Sequence, residues 1–279
     1  MAAKQENLSR AAEILHTSQP SLSQTIKRLE EELGYVLFDR EGKHIRLNES
    51  GRIMAQTVTQ MEELMYNTRL KLEEMNGRDH PEVSIYIGCA STLLPELLQF
   101  LRKRSPQVQY RIHQWNMEEH GREDGIQILA SADQGGEVLL EEEILLALPK
   151  EHSLLMREHI LLEDLTNEEF ISLNEKWELG RVLKREMENH LFVPRVTMRV
   201  DNPNLMRELL RAQMGIAFTP GISWHSFAGE EVVMRRVEDC PMRRKIYLHT
   251  RPGMYLTREY RECIQGIREF FTVKKQIYS

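Results

Sequence analysis

"NLSRAAEILHTSQPSLSQTIKRLEEELGYVLFDREGKHIRLNESG", residues 7–51, holds two amphipathic runs on either side of a short polar break. In the first run Leu8, Ala11, Ala12 and Leu15 recur at helical spacing, and Asn7 or Ser9 is suited to cap its start. In the second, Leu22, Ile26, Leu29 and Leu33 are separated by four, three and four residues, which predicts one buried helical stripe. Ser18 is a natural N-cap, and Pro20 fits the first turn, where its missing N–H costs nothing. Gly34 is placed to end the helix in the left-handed conformation. The break therefore stops one helix and starts the next. "YVLFDREGKHIRLN" follows with short apolar pieces around Glu41-Gly42, and predicts a β-hairpin carrying Arg40, Lys43, His44 and Arg46 about its tip.

Two short helices joined by a tight turn, the second polar at its N-terminus, form a helix-turn-helix. Ser18 opens the second helix, and Gln19, Pro20, Ser23, Gln24 and Lys27 lie off its leucine stripe. Gln pairs with adenine in the major groove, and Ser reaches base edges or phosphates. The pattern thus predicts a recognition helix, with the basic hairpin tip on flanking phosphates or in the minor groove as a wing. The alternative is an αα-hairpin with a solvated polar face. Charge alone does not separate the two readings, because residues 4–52 hold eight cations and eight anions. The acids gather at the far end of the second helix, away from the polar tip.

Beyond the hairpin, Asn48 is placed to cap a long helix that runs to about Asn76 and is terminated by Gly77. Met54, Val58, Met61, Met65, Thr68, Leu72 and Met75 are alternately four and three apart. That heptad seam suits pairing with another helix; the alternative is burial against its own chain. "GRDHPE" (77–82) marks a boundary, rich in charge with a Gly and a Pro. From Val83 the pattern becomes strands ("VSIYIG", "VQYRIH", "GIQILAS", "EILLALP", "EFISL", "RVTMRV", "GIAFTP", "EEVVMRRV", "KIYLHT") alternating with helices. The helices fall at 92–104, 180–189, 203–213 and 257–271. This alternation argues for α/β units with mostly parallel sheets.

Hydrophobic and charged contents of 41% and 29% among 279 residues are ordinary for a soluble globular chain of two or three domains. No run approaches the roughly 18 apolar residues of a membrane span, and "MAAKQENLSR" lacks the core of a secretory signal. Three widely spaced cysteines form no zinc or redox pattern, so a cytoplasmic location is expected. A net charge of −6 gives no global reason to expect nucleic acid. No G-x-S-x-G, H-E-x-x-H, phosphate loop or dinucleotide fingerprint is present, and neither enzymatic activity, a metal nor a cofactor is expected. His152 and His159 lack a third partner at ligand spacing. "MRRK" (242–245) reads as a solvated strand end before it reads as a nucleic-acid patch.

The combination of paired alanines, S-Q-P-S-L-S, I-x-x-L-E-x-x-L-G, L-F-x-R and L-x-x-x-G closely resembles the winged helix-turn-helix of LysR-type transcriptional regulators. The resemblance continues through "IGCASTLLPELLQFLRKRSPQVQ", "ILLALPKEHSL" and "GIAFTP" to the closing helix. It implies an α/β multi-domain protein in three parts. These are a winged helix-turn-helix (1–47), a linker helix (48–76) and an effector domain (82–279) similar to periplasmic binding proteins. Its two subdomains would be 82–146 with 251–279, and 147–250, joined by "EILLALP" and "KIYLHT". The resemblance further implies a homodimer or dimer of dimers on a pseudo-palindromic double-stranded DNA operator, a small-molecule effector, and RNA polymerase as a further partner. Ligand binding would shift the population of DNA-binding geometries.

Two departures from the family pattern stand out. The family carries a further helix ahead of "AKQENLSRAAE", so most of that helix is expected to be missing here. A metabolite receptor that does not bind DNA is the alternative function. The polar "NMEEHGREDG" also replaces a leucine-rich helix, which would alter one wall of the cleft. For the effector, strand C-termini that open helices favour anions. They predict contacts from Ser91, Thr92, Ser131, Asn202 and Thr219 to a small carboxylate, with simple capping as the alternative for each.

Overall fold

The computed structural model describes every residue except 1, 42–43, 79–81, 115–124, 131–135, 226–228, 230 and 279. The chain divides into two compact units, Met1–Gly77 and Arg78–Ser279.

The first unit comprises α1 (Ala2–Gln5), α2 (Leu8–Ile14), α3 (Gln19–Leu33), a hairpin of β1 (Phe38–Glu41) and β2 (His44–Leu47), and α4 (Glu49–Met75). Asn7 caps α2, accepting from the Arg10 N–H at 3.0 Å. Ser18 caps α3, accepting from the Ser21 N–H at 3.3 Å, and Gly34 ends that helix at φ 73°. Asn48 ties the hairpin to α4 from both ends of its amide. Its Oδ1 accepts from the Gly51 N–H at 2.9 Å, and its Nδ2 donates to the Val36 carbonyl at 2.9 Å. A Cβ at Gly51 would lie 2.0 Å from the Leu37 carbonyl oxygen, so only glycine lets α4 begin against this turn. Glu30, one of the acids at the far end of α3, accepts from the N–H groups of Leu37 at 2.8 Å and Phe38 at 3.3 Å.

The leucine stripe of α3 departs from expectation. Leu22 and Ile26 are half-buried, while Leu29 and Leu33 stay 37% and 38% exposed. The facing helix α2 buries only Ala11 and Ala12 fully, and two methyl groups cannot cover the second half of the stripe. Leu33 instead borders an apolar recess of about 300 Å³ lined also by Tyr35, Leu37, Ile53 and Met54. Along α4 the seam residues Met61, Met65 and Met75 are 60%, 72% and 73% exposed, so the first unit does not bury the seam.

The second unit is built on a seven-stranded sheet. Its strands are β3 (Glu82–Ile87), β4 (Gln109–Gln114), β5 (Ile126–Leu129), β6 (Glu137–Pro149), β9 (Ala217–Pro220), β10 (Val232–Arg235) and β11 (Met242–Thr250). The order is β10-β6-β11-β5-β3-β4, with β9 also on β6. A separate parallel pair is formed by β7 (Glu169–Leu173) and β8 (Arg195–Val200). The helices are α5 (Leu94–Arg104), α6 (Glu178–Asn189), α7 (Pro203–Arg211) and α8 (Arg258–Tyr278).

Strands β4 and β5 run parallel to β3, as the alternating pattern predicts. The expectation of mostly parallel sheets fails at β6 and β11, which pair antiparallel with each other and with β5, β9 and β10. The reason is connectivity: one strand leaves the first lobe and the other returns to it. Strand β6 also begins at Glu137, earlier than the predicted Glu143.

Each lobe has its own core. One gathers Val83, Ile85, Leu97, Ile126, Leu140 and Phe271, and the other Ile144, Leu146, Ile160, Phe170, Met206 and Met242. Along β6 the side chains change core between Leu140 and Ile144, and along β11 between Met242 and Ile246. The changeover therefore lies at Glu142 and Arg244, several residues before the divisions expected at 146/147 and 250/251.

Candidate nucleic-acid interface and interlobe cleft

The N-terminal half of α3 and its cap present Ser18, Gln19, Pro20, Gln24 and Lys27 to solvent, with Ser23 half-buried between them. The first turn contains no acidic residue, so the positive end of a 15-residue helix dipole is uncompensated there and favours a phosphate. Lys27 lies 3.6 Å from Glu31 in an exposed pair, an interaction weak enough for an anion to displace. On the hairpin, Arg46 is exposed and sits in register with Asp39. Arg40 pairs in register with Ile45 in β1. Lys43 lies outside the described residues.

In the second unit, β3 is followed by Gly88-Cys89-Ala90, and Ala90 turns at φ 56° into a 3-10 turn, Ser91–Leu93, that opens α5. The other lobe brings the starts of α6 and α7 and the segment after β9 to the same place. A cavity of about 30 Å³ remains, lined by Gly88, Cys89, Ser91, Trp177, Glu178, Pro203, Trp224 and Arg244 among others. Hydrogen bonds cross between the lobes: the Thr92 hydroxyl donates to the Ser223 carbonyl, and Glu178 accepts from the Ala130 N–H at 2.7 Å. Gly88 permits this approach, since a Cβ there would lie 2.8 Å from Leu129 Cδ2 and 3.0 Å from Glu178 Oε2.

The predicted effector residues fare unequally. Ser91 is exposed and lines the cavity, and Thr92 is half-buried at the lobe contact. Asn202 is exposed and occupied as the cap of α7, accepting from the N–H groups of Asn204 and Leu205 at 2.7 and 3.4 Å. Thr219 is fully enclosed on β9, because β9 pairs with the buried half of β6, and among the described residues its hydroxyl has no hydrogen-bond partner. Ser131 lies outside the described residues.

Sequence reasoning missed the charged floor of the cleft. Arg244 Nε donates to Glu142 Oε1 at 2.8 Å, with both side chains almost wholly sealed. Ser223 completes the set. Its hydroxyl donates to Glu142 Oε1 at 2.9 Å and accepts from Arg244 Nη2 at 2.8 Å, while its N–H and that of Ile222 donate to Glu142 Oε2 at 2.7 and 3.0 Å. The available signal was an acid at the centre of "EEEI", on the strand face that carries Leu140 and Ile144. A carboxylate there must be paired. Burial works against the Arg244 charge, but Glu142, Cys89 and Glu178 together outweigh it and raise the guanidinium pKa. Burial, with Glu178 second, pushes the nearby Cys89 thiol well above its ordinary value. Among the described residues no cluster of His, Cys, Asp or Glu is arranged to hold a metal, and no helix is long and apolar enough to cross a membrane.

Comparison with known proteins matches residues 1–52 to the bacterial regulatory helix-turn-helix protein family, lysR type, and residues 78–272 to the LysR substrate binding domain. A probable RuBisCO transcriptional regulator of Cyanophora paradoxa is 27% identical over 304 residues, covering 98% of this chain and 90% of its own. The regulatory domain of Synechocystis PCC6803 CcmR, solved in complex with 2-PG, is similar in fold. It has a TM-score of 0.60 at 16% identity, with 68% of this chain and 97% of that chain covered. The effector binding domain of QuiR in complex with shikimate gives a TM-score of 0.57 at 17% identity, with 70% and 99% covered.

Proposed function

This chain belongs to the LysR family of transcriptional regulators, a DNA-binding head joined to an effector-binding domain, and from that premise we propose how it works. Two copies pair through the α4 seam and present two α3 N-termini to a pseudo-palindromic operator, with Gln19, Ser23 and Gln24 on base edges. Ser18, Lys27 and the hairpin cations Arg40, Lys43 and Arg46 hold phosphates. A small anionic metabolite enters between the lobes at Ser91, opening or resetting the cleft, and the change in lobe packing alters the spacing of the heads. The chain acts as a receptor and not as a catalyst, and RNA polymerase reads the outcome at the promoter.

The observation that carries this reading is that one unit exposes both a polar, acid-free helix start and an apolar heptad seam. Three helix starts meeting at the cleft support an anion, and the QuiR domain was solved with shikimate, itself a carboxylate. Oxidation of a thiol is a poorer trigger. Cys89, Cys240 and Cys263 are all buried, and desolvation raises their pKa values, whereas the thiolate is the reactive form. The test is a mobility shift of DNA from upstream of the chain's own gene at about 0.15 M salt, with and without a panel of organic acids. A shift that some acid alters supports the proposal. No shift, or one that every acid leaves unchanged, counts against it.

A further inference from the structure

A cavity of about 490 Å³ lies between α6 and β11, bordered also by Ala130, Glu178 and Arg244. Along α6, Glu178, Arg181, Val182 and Arg185 fall at i, i+3, i+4 and i+7 and share one face. Along β11, Arg243, Lys245 and Tyr247 alternate onto the strand face opposite Arg244. The "MRRK" segment thus alternates between buried Met242 and Arg244 and exposed Arg243 and Lys245.

Two of the lining charges are committed inward: Glu178 accepts from the Ala130 N–H, and Arg244 pairs with Glu142. What faces the cavity is Arg181, Arg185, Arg243 and Lys245 against one acid, Glu141. Glu141 is shared between Arg243 at 3.4 Å and Lys245 at 3.8 Å, so it cannot neutralise the wall. Arg185 lies 3.6 Å from Glu186 in a side-by-side pair. Arg181 is held at the helix start by donating to the carbonyls of Glu175 at 2.8 Å and Lys176 at 3.1 Å, which fixes its guanidinium. The volume falls within the roughly 300–1,000 Å³ of small-ligand sites, and planar guanidiniums suit bidentate oxyanions.

We propose that the groove between α6 and β11 binds a small multiply charged oxyanion, held by Arg181, Arg185, Arg243 and Lys245. The groove borders the Ser91 cavity, with which it shares Glu178 and Arg244, but its four cations lie outside that cavity's lining. Occupation would brace α6, which carries the Glu178 contact to the first lobe. As a regulatory input this rests on reading the unit as an effector domain; as a binding site it does not.

Calorimetry on the full chain at about 0.15 M salt tests it with pyrophosphate, citrate and acetate. One saturable site for pyrophosphate or citrate is expected, none for acetate, with the tighter of the two telling phosphate from carboxylate chemistry. Arg181→Gln/Lys245→Gln should weaken binding at least tenfold, while Arg102→Gln, an exposed cation on α5, should leave it unchanged. Arg185→Gln serves in place of the double variant if a thermal melt shows that variant unfolded. Silence with both polyanions, unchanged binding in the groove variant, or an equal loss in Arg102→Gln would each overturn the proposal. A mobility shift with anion-free protein separates the outcomes: if DNA binding fails while pyrophosphate or citrate still binds, the regulator reading falls and the groove stands.

Discussion

Glu142 on β6 and Arg244 on β11 face each other at the point where both strands pass from one lobe's core to the other's. Their side chains are 0% and 3% exposed, and they share Ser223 from the segment after β9. The two are cross-strand partners, flanked by Leu140 and Ile246 of one core and by Ile144 and Met242 of the other.

Removing one partner leaves a buried charge uncompensated, which costs about 3–5 kcal/mol. Arg244→Met should therefore lower the urea midpoint of the second unit, followed by tryptophan fluorescence. Glu142→Gln/Arg244→Met should regain much of the loss. A single-variant loss under about 1 kcal/mol, the scale of an exposed pair, would contradict the assignment.

Thr219 offers the opposite case. Its enclosed hydroxyl lacks a partner among the described residues, so Thr219→Val removes an unsatisfied group at little change in shape. Stability should hold or rise by about 1 kcal/mol, and affinity for any acid that shifts the DNA complex should not change. A tenfold loss of that affinity would restore Thr219 as an effector contact.

The α4 seam predicts assembly. Met61→Glu/Met65→Glu places like charges where two helices would meet, and sedimentation equilibrium should show a fall in mass toward one chain without loss of helical circular dichroism. Unchanged mass would place the subunit contact elsewhere.

The cysteines set an alkaline limit. Desolvation pushes the Cys263 thiol up to about 12, so the folded chain keeps that proton to higher pH than the unfolded chain does. Above the ordinary thiol range of about 8.5 the unfolded state binds fewer protons. Stability from this group should then fall with rising pH until the folded value is passed. At pH near 8 a thiol reagent should label none of the three cysteines in the native chain and all three in urea. Rapid native labelling of Cys89 would reopen an oxidative trigger.

What could be read in the sequence was what neighbours along the chain decide. Ser18, Pro20 and Gly34 bound α3 by local capping chemistry, and Asn48 opens α4 in the same way. The ion pair was not legible because its partners are 102 residues apart, and because β6 begins six residues before its apolar run makes it visible. Thr219 ends a readable strand, but its enclosure depends on which strand pairs beside it. The exposed half of the α3 stripe shows the same limit: spacing predicts an apolar face and says nothing of how much of it a neighbour covers.

The most direct measurement is a titration of the full chain against its operator and against scrambled DNA of equal length, at two salt concentrations. Gln19→Ala/Ser23→Ala should lose about 1–3 kcal/mol of preference for the operator while keeping the salt dependence of the parent. Arg46→Gln should weaken both DNAs alike and flatten that dependence. If the α3 variant keeps the parent's preference, or if both variants lose it equally, the helix start at Ser18 is not what reads the sequence.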